Sequence, residues 1–117
     1  MPLIQIFTSA PRPAPEAQHA LLWGLSRALA RHFQKSEQWV MTSLVPDLAM
    51  TFGGTSDPCC FAAVKNVGQL PPARAVEMSE DLCSRLADGL GIAKARVYLE
   101  FTEAEGRLWG WNGETFG

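Results

Sequence analysis

The apolar periods of this 117-residue chain run strand, helix, strand, and then the same order again, which restricts the fold more than any single motif. Residues 3–7, Leu-Ile-Gln-Ile-Phe, form a short apolar run bounded by Ser9, Pro11 and Pro13, as a buried strand would be. A helix follows from Pro15 and Glu16, because proline is tolerated in a first turn. Leu21, Leu25, Leu29 and Phe33 recur along it at helical spacing, with Leu22 and Ala28 beside them, while Arg27 and Arg31 point away from the stripe. Residues 39–45 are the second strand, stopped by Pro46 and Asp47. The second half repeats the order. Residues 58–67 make a third strand, 68–72 a turn and 73–90 a helix with Ser79, Leu82, Cys83, Leu86 and Leu90 on its buried face. Glu77, Glu80, Asp81, Arg85 and Asp88 are expected to face outward, and Gly89 and Gly91 to close the helix. Residues 96–101 alternate polar and apolar as a fourth strand.

Each unit has room for a right-handed crossover that lays its two strands parallel beneath a helix. Two joined units predict an α+β fold: a tandem βαβ repeat forming a four-stranded mixed sheet with two helices on one face. The other sheet face is then bare, and oligomerisation would cover it. Residues 107–116 belong to neither repeat and carry Trp109 and Trp111 around an Asn112-Gly113 turn signal, an aromatic density that suits short C-terminal strands at an interface.

Composition narrows the function. A chain of 117 residues with 47% hydrophobic and 19% charged residues suits one globular domain spanning residues 1–117. A net charge of −2 disfavours nucleic acid as a partner. The opening residues lack a basic leader, and no run approaches the roughly 20 apolar residues of a membrane span. A cytoplasmic protein is expected, any secretion being without a signal peptide. Cys59, Cys60 and Cys83 read as buried thiols, and His19 and His32 lack the spacing that would put two ligands on one helical turn, so no metal site is expected. Gly89-Leu90-Gly91 ends a helix rather than linking a strand to one, and Gly53-Gly54 lacks the lysine of a phosphate loop, so no nucleotide cofactor is implied.

Pro2 carries the chemical hint. A small residue behind Met1 permits removal of the methionine, which leaves Pro2 as a free secondary amine. An unperturbed terminal amine titrates near ~7.7–8.0, within reach of the range that general bases favour.

Met1-Pro2-Leu3-Ile4, Val45-Pro46-Asp47, the run from Met50 to Cys59, Arg96-Val97-Tyr98 and the run from Gly110 to Phe116 resemble, in order and over the whole chain, the macrophage migration inhibitory factor family of the tautomerase superfamily. The resemblance implies a trimeric βαβ-repeat fold and a cofactor-independent keto–enol tautomerase of the phenylpyruvate kind, or a dopachrome-type isomerisation. It implies Pro2 as catalytic base and Lys35 as the partner of the substrate carboxylate. Val67 would touch substrate through its backbone, Tyr98 would reach across from a neighbouring subunit, and Trp109, Trp111 and Phe116 would line the pocket mouth. The implied partners are a small aromatic α-keto acid and two further copies of the chain. The other function class on this scaffold is a cytokine-like extracellular ligand, for which the sequence offers no receptor motif.

Two departures stand out. Glu100 occupies a position where the animal members have asparagine; a carboxylate there repels an acidic substrate and opposes Lys35 in setting the Pro2 amine. Glu100 is expected to accept a hydrogen bond from a substrate hydroxyl or to pair with a basic side chain. Animal members also have a CxxC in the third strand, whereas this chain runs Cys59-Cys60-Phe61-Ala62, so thiol oxidoreductase activity is not carried over.

Overall fold

The computed structural model describes residues 1–117. Strand β1 (Leu3–Thr8), helix α1 (Pro15–Phe33) and strand β2 (Met41–Val45) form the first unit; β3 (Cys60–Val67), α2 (Pro72–Leu90) and β4 (Val97–Ala104) form the second. Two short strands, β5 (Gly110–Trp111) and β6 (Glu114–Thr115), pair as a C-terminal hairpin. The main sheet has the order β2-β1-β3-β4. Within each unit the strands are parallel, and the units meet through the antiparallel pair β1–β3, in register from Leu3↔Lys65 to Thr8↔Cys60. The repeat expected from the sequence is therefore the architecture of the sheet.

Strand alternation decides which residues meet the helices. Ile4, Ile6 and Thr8 on β1 and Cys60, Ala62 and Val64 on β3 are buried beneath α1 and α2. The helices add Leu21, Leu25, Ala28 and Leu29 from one side and Met78, Leu82 and Leu86 from the other. On α2 the buried position is Met78, and the expected Ser79 is only half-buried. Both residues lie at helical spacing from Leu82, so periodicity admits either and the apolar thioether takes the core place.

Three further expectations change. Gly91, at φ 68°, is the left-handed C-cap of α2, but Gly89 serves packing: a Cβ there would lie 2.6 Å from Leu21 Cδ1, so the glycine lets the two helices approach. Asp81 does not face water freely. Its carboxylate sits between the helices, accepting from Arg85 Nε at 2.9 Å and Arg31 Nη2 at 3.3 Å and lying 2.7 Å from His32 Nε2. Finally, Trp39 belongs to a 3-10 turn over Glu37–Trp39 rather than to β2, while β4 runs on to Ala104.

The opposite sheet face has no helix over it. Register places Met41 and Val45, Leu3 and Phe7, Phe61, Tyr98 and Glu100 on that side. Met41 and Tyr98 are 64% and 63% exposed, far more than apolar sheet residues with a cover would be. No helix of the chain is long and apolar enough to cross a membrane.

Candidate functional site

Three element termini converge at one end of the sheet: the start of β1, the end of α1 and the end of β3. Met41 N–H donates to Pro2 C=O at 3.0 Å, which extends the β1–β2 ladder to the second residue and buries Pro2. Helix α1 stops at Gln34, which adopts left-handed φ and ψ of 54° and 47°. Lys35 N–H returns to Ala30 C=O at 2.9 Å, so the reversal both satisfies a helix carbonyl and redirects the lysine towards β3.

Lys35 is held by two acceptors. Its Nζ donates to Val67 C=O at 2.7 Å and to Asn66 Oδ1 at 3.2 Å. Asn66 is buried, and the same Oδ1 accepts from the Met1 amine at 3.3 Å. The amino terminus and the lysine thus share one neutral oxygen. Desolvation, and then the neighbouring Lys35 ammonium, lower the Met1 amine from its ordinary value of 8.0 to about 5. At neutral pH that amine is an unprotonated base beside the Lys35 ammonium.

A cavity of roughly 360 Å³ opens against these groups, walled by Met1, Lys35, Ser36, Trp39, Val67 and Phe116. A second recess of roughly 250 Å³ adjoins Pro2 and brings in Trp109 and Trp111. Trp39 stands edge-on to Trp111, with ring centroids 4.9 Å apart, and Trp111 stacks on Phe116 at 6.2 Å. The arrangement is an aromatic slot with an amine and an ammonium at its base, which can take a flat ring at one end and a carboxylate at the other.

Pro2, Lys35, Val67, Trp109, Trp111 and Phe116 therefore gather at one edge. Tyr98 and Glu100 do not join them within the chain. Tyr98 is opposite Phe61 in register, packed on Phe52 at 4.8 Å between ring centroids, and Glu100 is opposite Ala63 on the bare sheet face. Along the sheet Tyr98 lies level with Phe7, four strand residues from Leu3 or about 13 Å at ~3.3 Å per residue. Sequence reasoning missed Trp39 and Asn66. Trp39 was obscured by its apolar strand neighbours, whereas Asn66 did leave a signal, a lone amide at the end of the otherwise apolar alternate row Cys60, Ala62, Val64.

The other polar clusters lack this chemistry. His32 and Asp81 are close, but only Arg31 and Arg85 join them, and no nucleophile does. Cys60 is pushed up to about 12 by burial and then by the neighbouring Cys59, so its thiol is inert. No three His, Cys, Asp or Glu side chains gather as metal ligands would.

Known proteins resemble the chain over its whole length. The family model described as "Macrophage migration inhibitory factor (MIF)" matches residues 1–117. The chain is similar to macrophage migration inhibitory factor of Rattus norvegicus, at 37% identity over 99% of both chains. It is also similar to the macrophage migration inhibitory factor homolog of Brugia malayi, at 35% identity over 100% of both. Among solved structures, the homologue from Prochlorococcus marinus superimposes with a TM-score of 0.92 at 43% identity, covering 98% of this chain and 99% of that one.

Proposed function

The chain belongs to the macrophage migration inhibitory factor family of the tautomerase superfamily and is a cofactor-independent keto–enol tautomerase with an amino-terminal proline base; from that premise we propose that its substrate is a small aromatic α-keto acid of the phenylpyruvate kind. Removal of Met1 passes the free amine to Pro2, one residue further into the cavity edge. The neutral secondary amine takes a proton from the carbon next to the keto group, and the electron pair moves onto the carbonyl oxygen as the enolate. The Lys35 ammonium pairs with the substrate carboxylate and offsets the growing charge, and the protonated Pro2 amine then returns its proton to the enolate oxygen, which completes the enol and restores the neutral base.

The observation that carries this reading is the base of the slot, where burial and then Lys35 lower the terminal amine, Met1's before processing, and Lys35 is pinned 2.7 Å from Val67 C=O under an aromatic wall. Burial and the Lys35 charge act in the same direction on the Pro2 amine that processing exposes, so its pKa is expected below the ordinary terminal value and the rate should fall only as pH drops through it. The aromatic wall fits a phenyl or phenol ring and keeps water from the amine.

The active form is a homotrimer in this reading. Tyr98 and Glu100 lie on the bare face away from their own cavity, so they serve a site only by reaching a neighbouring chain's slot. There Tyr98 would close one wall, and Glu100 would meet a substrate hydroxyl or a basic side chain.

Intact mass and a phenylpyruvate assay on the same preparation test the proposal. The protein lacking Met1 should tautomerise phenylpyruvate, and Pro2→Gly should lower the rate by at least about 100-fold, the usual worth of a positioned base. Equal rates in both proteins would remove Pro2 from the mechanism.

A further inference from the structure

We infer that Asn66 is a positioning residue for the reaction: its side-chain oxygen ties down the Lys35 ammonium beside the amino terminus. The inference rests on the tautomerase reading above. Asn66 ends the helix-facing row of β3 after Cys60, Ala62 and Val64, a row otherwise committed to the apolar core. An amide in that row costs desolvation unless its polar atoms are used. Its Oδ1 is used twice, by Lys35 Nζ at 3.2 Å and by the Met1 amine at 3.3 Å.

The chemistry of the amide explains the choice of residue. A carboxylate at this point would pair with Lys35, raise the nearby amine's affinity for a proton and compete with the substrate for the lysine. An apolar residue would leave the lysine with Val67 C=O as its only anchor. A neutral acceptor avoids both: it fixes the direction of Nζ without cancelling its charge. An ammonium has three donors, and with two committed to Asn66 and Val67 the third is free for a substrate carboxylate. Asn66 therefore acts through Lys35 and need not touch substrate.

The test is steady-state kinetics with phenylpyruvate across pH on the processed protein, with Asn66→Ala and Asn66→Asp made alone and Asn66→Ala also in a Lys35→Ala background. Asn66→Ala should raise KM about tenfold while kcat falls less than about threefold, the size expected when a charged group loses one hydrogen bond. In the Lys35→Ala background the same change should add almost nothing, since the lysine it acts through is gone. Asn66→Asp is nearly isosteric and keeps the fold testable if the alanine variant misfolds. It should move the acid limb of kcat/KM up by about one pH unit. Equal KM penalties with and without Lys35, or an Asn66→Asp limb at the wild-type pH, would overturn the inference. An inactive processed wild type would instead overturn the tautomerase reading itself.

Discussion

At the scale of single residues, the site depends on one ammonium placed against one amine. Lys35 lowers the proton affinity of the amine and offers the charge that an acidic substrate seeks. Lys35→Ala should therefore act in two ways at once. KM for phenylpyruvate should rise about tenfold or more through loss of the charge-assisted bond. The acid limb of kcat/KM should move to higher pH, because the amine regains affinity for its proton when the neighbouring positive charge is removed. A change in KM with an unmoved limb would show that Lys35 binds substrate without tuning the base. Legibility is uneven at this scale. Pro2 announces itself by standing second in the chain, and Lys35 by its place in the family pattern. Asn66 shows only as an amide in an apolar row, because its importance comes from residues 1 and 35, which are remote in sequence and adjacent only after folding.

At the scale of elements, the two helices are fastened to one another near the end that delivers Lys35. Asp81 on α2 binds Arg31 and His32 in the last turn of α1, and Arg74 on α2 donates to His32 C=O. Burial alone would raise the Asp81 carboxyl, but the His32 and Arg85 hydrogen bonds outweigh it and hold the group below its ordinary 3.8. A lowered carboxyl contributes stability above its unfolded pKa and loses it as pH falls through the folded one. Asp81→Asn should thus cost about 1 kcal/mol at neutral pH, a value kept small by solvent screening. The penalty should fade below about pH 4, where wild-type Asp81 also becomes neutral. Urea midpoints at neutral and acid pH check this, and a constant difference would mean that shape rather than charge is responsible. The elements themselves were readable because helix and strand periods differ. What escaped were relations between elements: Met78 over Ser79, Gly89 against Leu21, and Asp81 turned inward all depend on a neighbouring helix that periodicity does not see.

At the scale of the whole molecule, the chain is finished on one side only. Its radius of gyration, 14.5 Å, exceeds the roughly 13 Å of a compact domain of this length. The bare sheet face adds apolar surface, including stacked Phe7 and Phe61 with ring centroids 6.4 Å apart. Sedimentation at micromolar concentration should give about three times the 12.8 kDa chain mass. Phe61→Glu places a charge on that face without touching the helix side, and should yield smaller species with little tautomerase activity. A monomeric wild type with full activity would sink the trimer. The bare face was foreseeable from counting two helices against a four-stranded sheet, but the distance between Tyr98 and the cavity needed the register.

The central place of β1, between β2 and β3, also has a temporal side. A ribosome releases Leu3 long before Met41 and Lys65, the residues that flank it in the sheet, so the first strand waits unpaired while half the chain is made. That interval is when Met1 is most open to an aminopeptidase. Once the strands close, Met1 stands in the cavity wall with its amine on Asn66, and the enclosure that favours a neutral base now shields the peptide bond whose cleavage creates it. Removal of Met1 is therefore expected before the sheet closes, in the interval that the order of synthesis provides.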